Sequence, residues 1–204
     1  FSNVDDMIPL YQLGAVYDSR QYIIDAPAWW PVSEPFAFNQ LKSLVTIALN
    51  NLPADKPTSA MLQLAGWQQL LYASIHPVTG NTIALPLGEV VLPTRVHHSQ
   101  TLVMDASTVY EQCFTNSFND LETFEEQLAE GHFIQHPDET ISRDFWWAQS
   151  AHPTYRGLTS FYLPSAVTAP YKDPENPIFD IVTTVDYDSY CLFPIMIIDP
   201  VGNI

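Results

Sequence analysis

The sequence predicts an α+β fold, a mostly antiparallel β-sheet with about three helices packed on it. Three observations carry that expectation. Extended, β-rich segments lie toward both ends of the chain, and helix-periodic stretches occupy the first half and the middle. The third is punctuation: 17 prolines against 7 glycines cut the chain into short pieces. With 204 residues, no repeat of fixed period and no linker-like stretch, the expectation is a single domain over 1–204. The chain begins at Phe1 rather than Met, which predicts a processed chain or part of a larger protein.

Taken in order, residues 7–25 (MIPLYQLGAVYDSRQYIID) read as two extended segments around a DSR turn. Residues 37–51 read as a helix, because Leu41, Leu44, Val45, Ala48 and Leu52 recur at helical spacing. Ser33-Glu34-Pro35 supplies a start signal and Pro53 a stop. Residues 59–74 (SAMLQLAGWQQLLYAS) read as a second, mostly buried helix with Met61, Leu64, Ala65, Leu71 and Tyr72 on one face. Segments 82–92 and 100–110 read as strands. Residues 119–130 (NDLETFEEQLAE) read as a third helix, with an Asn119/Glu122 capping box and Gly131 just past its end. A short helix is expected around 139–149, and strands from 157 onward.

Charge narrows the function. Seven Lys and Arg stand against 23 Asp and Glu, a net charge of -16, which argues against phosphate-rich partners such as nucleic acid or anionic membranes. Charged residues total only 15%, against the roughly 25% of typical domains. The surface is expected to be short of lysine and rich in aromatic, proline and neutral polar side chains, which suits protein–protein contact. No apolar run approaches the ~20 residues of a membrane span. In composition the chain resembles virion and surface-assembly subunits, and the expected location is a virion or the extracellular space. The expected partners are other protein subunits, with self-association first among them. The alternative reading is a secreted carbohydrate-binding or carbohydrate-active protein.

Motifs for chemistry are sparse. His132 and His136 sit four apart with Asp138 and Glu139 just beyond, the spacing of a helical metal pair, but Gly131 and Pro137 work against a helix there. They are weak metal candidates, and neither metal nor cofactor is expected. His97-His98 is weaker, since adjacent side chains on a strand diverge. Asp186 and Asp188 share a strand face, as paired carboxylates for sugar chemistry would, yet they also flank a turn, where Asp is common. Oxygen-rich DPENP (173–177) and NVDD (3–6) lack EF-hand spacing. Nothing marks an activated Ser or Cys: there is no GxSxG elbow, and Cys113 and Cys191 sit in apolar settings that suit buried thiols or one disulfide. No catalytic residue is assigned and a non-enzymatic role is expected.

Four of the five tryptophans fall in two doublets, Trp29-Trp30 between prolines and Trp146-Trp147 in RDFWWAQ. In extended chain the two rings of a doublet face opposite ways, so one can pack inward while the other is offered to a partner. All four are interface candidates; the competing reading places them in the core.

Overall fold

The computed structural model describes residues 16–24, 37–58, 62–172, 180–191 and 193–203. Among these the expected α+β architecture is present: ten strands and three α-helices. In chain order they are β1 (Asp18–Ile24), α1 (Phe38–Asn50), β2 (Leu62–Ile75), β3 (Thr82–Ala84), β4 (Val96–Asp105), α2 (Ala106–Val109), α3 (Leu121–Glu130), β5 (Ile134–Gln135), β6 (Phe145–Gln149), β7 (His152–Tyr155), β8 (Pro164–Lys172), β9 (Asp180–Tyr187) and β10 (Pro194–Ile198). One sheet has the order β1-β2-β4-β6-β5 with β3 on β2; the other is β10-β9-β8-β7. The chain divides into two compact units, each of non-contiguous segments: unit 1 is 1–18, 68–100 and 149–204, and unit 2 is 19–67 and 101–148.

Two expected helices are strands. Residues 62–75 form β2, and 145–149 form β6. Leu, Ala, Gln and Met favour helix locally, but the segment from Leu62 is hydrogen-bonded to strands on either side, and that long-range pairing outweighs propensity. The first residues of β2 show the strand period, with Leu62 buried, Gln63 exposed, Leu64 half-buried and Ala65 exposed. The strand expected at 82–92 is shorter, ending at Ala84, and that at 100–110 is shifted to 96–105. The first expected extended segment and the Ser33-Glu34-Pro35 start lie outside the described residues.

The other helices follow the sequence more closely. The α1 helix starts after Ala37, whose N–H donates to Gln40 Oε1, and it buries Ala48. The cap of α3 is Asp120 rather than Asn119: its carboxylate accepts from the Thr123 N–H and hydroxyl, both at 2.8 Å.

Unit 2 is organised around β6. Phe145 and Trp147 face a cluster with Trp67 and Ile141, while Trp146 faces Ala106, Phe124 and Leu128 on the other side. The rings of Trp67 and Trp147 meet edge-on at 5.0 Å, and those of Trp67 and Phe145 at 6.2 Å. The Arg20 guanidinium lies 4.2 Å over Trp67. On the helical side Phe114 stacks on Phe124 at 5.2 Å.

Unit 1 holds the β2–β3 hairpin and the four-stranded sheet. The hairpin turn is closed by the His76 N–H to Asn81 O and the Gly80 N–H to His76 O. This turn docks on the segment after β7, where the Leu158 N–H donates to Pro77 O. The approach leaves no room for side chains: a Cβ on Gly157 would lie 2.6 Å from Pro77 O, and one on Gly80 2.5 Å from Tyr155 O. Gly80 also has φ +72°, so it needs glycine twice over. Gly157→Ala is therefore expected to cost about 1–3 kcal/mol, since both neighbours of the new methyl are backbone carbonyls and must move. Urea unfolding of the variant checks this, and an unchanged midpoint would show that the turn does not dock as described.

Candidate functional site

Sequence candidates fare unevenly. Trp146 and Trp147 are 6% and 0% exposed, so neither ring is offered to a partner and their interface role is corrected to a core role. Extended backbone does send them to opposite faces, but both faces of β6 are covered. Each indole N–H is buried with no hydrogen-bond partner among the described residues, at a cost of roughly 1–3 kcal/mol each that packing must offset. Trp29 and Trp30, with the oxygen clusters at 3–6 and 173–177, lie outside the described residues. Trp67 is buried too, so the described residues contain no exposed tryptophan platform for a sugar.

His132 and His136 do not share a helical face, because α3 ends at Glu130. His132 instead occupies the left-handed position of the helix terminus, with φ 64°. The His132 N–H donates to Ala129 O and the Phe133 N–H to Leu128 O, the paired bonds of a Schellman close. Gly131, expected in that conformation, has φ -74°. His136 is buried against Trp147, ring centroids 5.0 Å apart, and its Nδ1 accepts from the Asp138 N–H at 3.0 Å. Among the described residues no group of three His, Cys, Asp or Glu is arranged to hold a metal ion. His132→Gly is expected to stabilise by roughly 1 kcal/mol or less, the left-handed strain relieved minus the added chain entropy. A raised thermal midpoint would confirm it; a lowered one would mean that the His132 side chain contributes more than its backbone costs.

The carboxylate pair is structural. Asp186 Oδ1 accepts from Arg156 Nη2 at 2.9 Å. Asp188 closes the turn between β9 and β10: its N–H donates to Phe193 O, and its Oδ1 accepts from the Phe193 N–H. Cys113 and Cys191 are both free.

Two constellations emerge that the sequence did not single out. The first is a charged cavity wall in unit 2. Lys56 Nζ lies 2.6 Å from Asp105 Oδ2 and 3.6 Å from Asp144 Oδ2. It borders a cavity of about 420 Å³ lined also by Gln63, Leu64, Met104 and Gln112. Burial works against the Lys56 charge, but the hydrogen bond and charge of Asp105, followed by those of Asp144, outweigh it and raise its pKa above the ordinary lysine value. Burial opposes the Asp105 charge likewise, and bonds from Lys56, Ser107 and the Thr108 N–H lower its pKa overall. An amine held protonated by two carboxylates is neither a nucleophile nor a free anion site.

That ion pair predicts a pH signature. Asp105 has a folded-state pKa below its unfolded value near 3.9, so its stabilisation is complete above that value and is lost as pH falls through the folded pKa. Lys56→Met should cost about 1–2 kcal/mol at neutral pH, after allowance for the partial exposure of the pair. The gap between wild type and variant should close at a pH low enough to protonate Asp105 in the folded state. Urea unfolding at both pH values measures it; a gap independent of pH would assign the loss to packing instead.

The second constellation is a histidine cluster in unit 1. His97 and His98, at the start of β4, meet His152, the first residue of β7. Their ring centroids lie 4.9, 5.2 and 5.1 Å apart, pair by pair. His97 Nδ1 and His98 Nδ1 share a hydrogen bond at 2.7 Å, so these neighbours turn toward each other rather than diverging. Burial, followed by the charges of His97 and His152, pushes His98 down to about 4. Burial lowers His97 as well, with His152 adding to it, and burial alone lowers His152.

No protein-family model and no curated protein matches the chain. Among solved structures, a chain in the crystal structure of TcdB2-TccC3 matches at 18% identity and TM-score 0.41, over 76% of this chain and 8% of that one. A chain of the TcdB2-TccC3-Cdc42 structure matches at 17% identity and TM-score 0.39, over 72% of this chain and 7% of that one. This chain thus spans only a small part of the length of those proteins, and a likeness of that depth carries no argument about function.

Proposed function

We propose that this chain is a non-enzymatic interaction subunit of a larger assembly, such as a viral particle (capsid or virion protein) or an extracellular filament, whose partners are protein subunits, other copies of itself first. The observation that supports the reading most is an edge of the four-stranded sheet that is unpaired among the described residues. Of the two edge strands, β10 and β7, it is β10. Ile195 is 68% exposed and Ile197 52%, with Phe193 just before them at 68%.

Sheet edges in monomeric proteins are blunted by charge, proline or covering elements. Residues 192–198 (LFPIMII) contain no charged side chain, and Pro194 stands at the first position of the strand, leaving the N–H groups after it intact. A strand added there gains main-chain hydrogen bonds and removes apolar surface from water at the same time. The sparse charge suits the same role: copies meeting at this edge bring no charged residue of 192–198 against its like.

The described chemistry supports an enzyme poorly. The carboxylates at 186 and 188 are engaged in fold contacts, and Lys56 is neutralised. No helix of the described residues is long and apolar enough to cross a membrane.

Sedimentation velocity over a concentration series tests the reading. Wild type is expected to form species heavier than the monomer, and the double substitution Ile195→Lys with Ile197→Lys to reduce them at least tenfold. A wild type that stays monomeric at high concentration, or a variant that associates as well as wild type, would overturn it.

A further inference from the structure

We propose that His97, His98 and His152 form an acid-sensitive latch within unit 1, clasping the four-stranded sheet, through β7, to the first half of β4, and loosening as the medium acidifies. Nothing in the partner reading above requires it. The cluster sits where the two sheets of that unit come together. His97 and His98 belong to β4 of one sheet, His152 to β7 of the other. The same junction carries the Ser99 N–H to Ser150 Oγ at 2.9 Å, the Ser150 N–H to Ser99 O at 2.9 Å, and the Tyr155 hydroxyl to Val96 O at 2.7 Å.

The bonding pattern suits neutral rings. Gln100 Nε2 lies 3.4 Å from His98 Nε2. When the amide donates there, His98 carries its proton on Nδ1 and donates it to His97 Nδ1, and His97 holds its own on Nε2. Protonating His98 at Nε2 sets that N–H against the Gln100 amide N–H, so the amide must turn round. A second proton on the pair sets two N–H groups against each other across 2.7 Å. His152 Nε2 is buried with no hydrogen-bond partner among the described residues, so a proton there finds no acceptor.

Among the described residues no carboxylate contributes to the protonation balance of the three rings. The other ionisable residues on the packed elements are Arg95 ahead of β4, Asp105 at the far end of β4, Tyr72 on β2, Tyr155 on β7, and Tyr171 and Lys172 on β8. Tyr155 is itself raised by burial, with Arg95 pulling it the other way. The influences on the three histidines are burial and one another.

The sign follows. Imidazoles lowered in the folded state bind protons better once released, so the latch is at full strength above the ordinary histidine value of about 6.5 and weakens as pH falls below it. For His98 the weakening runs down to about 4. Opening should start locally, at β7 and the strand it pairs with, because that is where the cluster's bonds lie.

Hydrogen exchange by NMR on the full chain, corrected for intrinsic rates, tests this between pH 7.5 and 5.5, together with imidazole titration. Protection at Thr154, Val167 and Thr168 is expected to fall at least tenfold, while Phe124 and Leu128 in α3 stay within about twofold. At least one ring of the cluster should titrate well below the ordinary value. His152→Gln should flatten the pH dependence at β7; if that variant does not fold, the wild-type titration and exchange decide alone. Three rings titrating normally, β7 protection independent of pH, or equal losses in α3 would each overturn the latch.

Discussion

The packing of β6 is the constraint on which unit 2 depends. Adjacent residues of a strand face opposite ways, and β6 puts large aromatic rings on both sides. Phe145 and Trp147 pack with Trp67 and Ile141; Trp146 packs with Ala106, Phe124 and Leu128. One short strand therefore joins two apolar clusters, and on the helical side Trp146 packs with Met104 of β4 beside it. Replacing Trp147 by a small residue would remove contacts of the order of 3–5 kcal/mol, a large share of a domain's net stability. This explains why a tryptophan doublet stands in a strand at all: it fills two cores rather than offering one ring to a ligand.

How much of this was legible depends on range. The α3 helix is readable because its signals are local: Leu121, Phe124 and Leu128 at helical spacing and a capping box of Asn119 with Glu122 at the start. Its cap moved by one residue, to Asp120, because both the N–H and the hydroxyl of Thr123 reach that carboxylate. The β2 strand was misread because its Leu, Ala and Gln composition favours helix, and only the strands on either side of it, distant in sequence, hold it extended. The same limit hid the charged wall and the histidine cluster. Lys56 and Asp144, or His98 and His152, are brought together by tertiary packing that no spacing rule reports. His97 and His98 were passed over on strand alternation, yet their Nδ1 atoms bond directly.

The functional picture is one of contrast between inside and outside. Trp146 and Trp147 are spent on the core of unit 2, and Asp186 and Asp188 on an ion pair and a turn. Apolar and uncharged side chains also face outward at one edge of the four-stranded sheet, where Phe193, Ile195 and Ile197 are exposed. Surfaces of this kind mark contact sites rather than reaction sites. A net charge of -16 works against nonspecific association over the rest of the molecule.

The most direct measurement is hydrogen exchange at β10 as a function of protein concentration. If the edge is an assembly surface, the amides of Ile195 to Ile198 should gain protection as concentration rises, while those of β8, which lies between two strands of its own sheet, stay constant. Exchange at β10 that is fast and identical at every concentration would contradict the account.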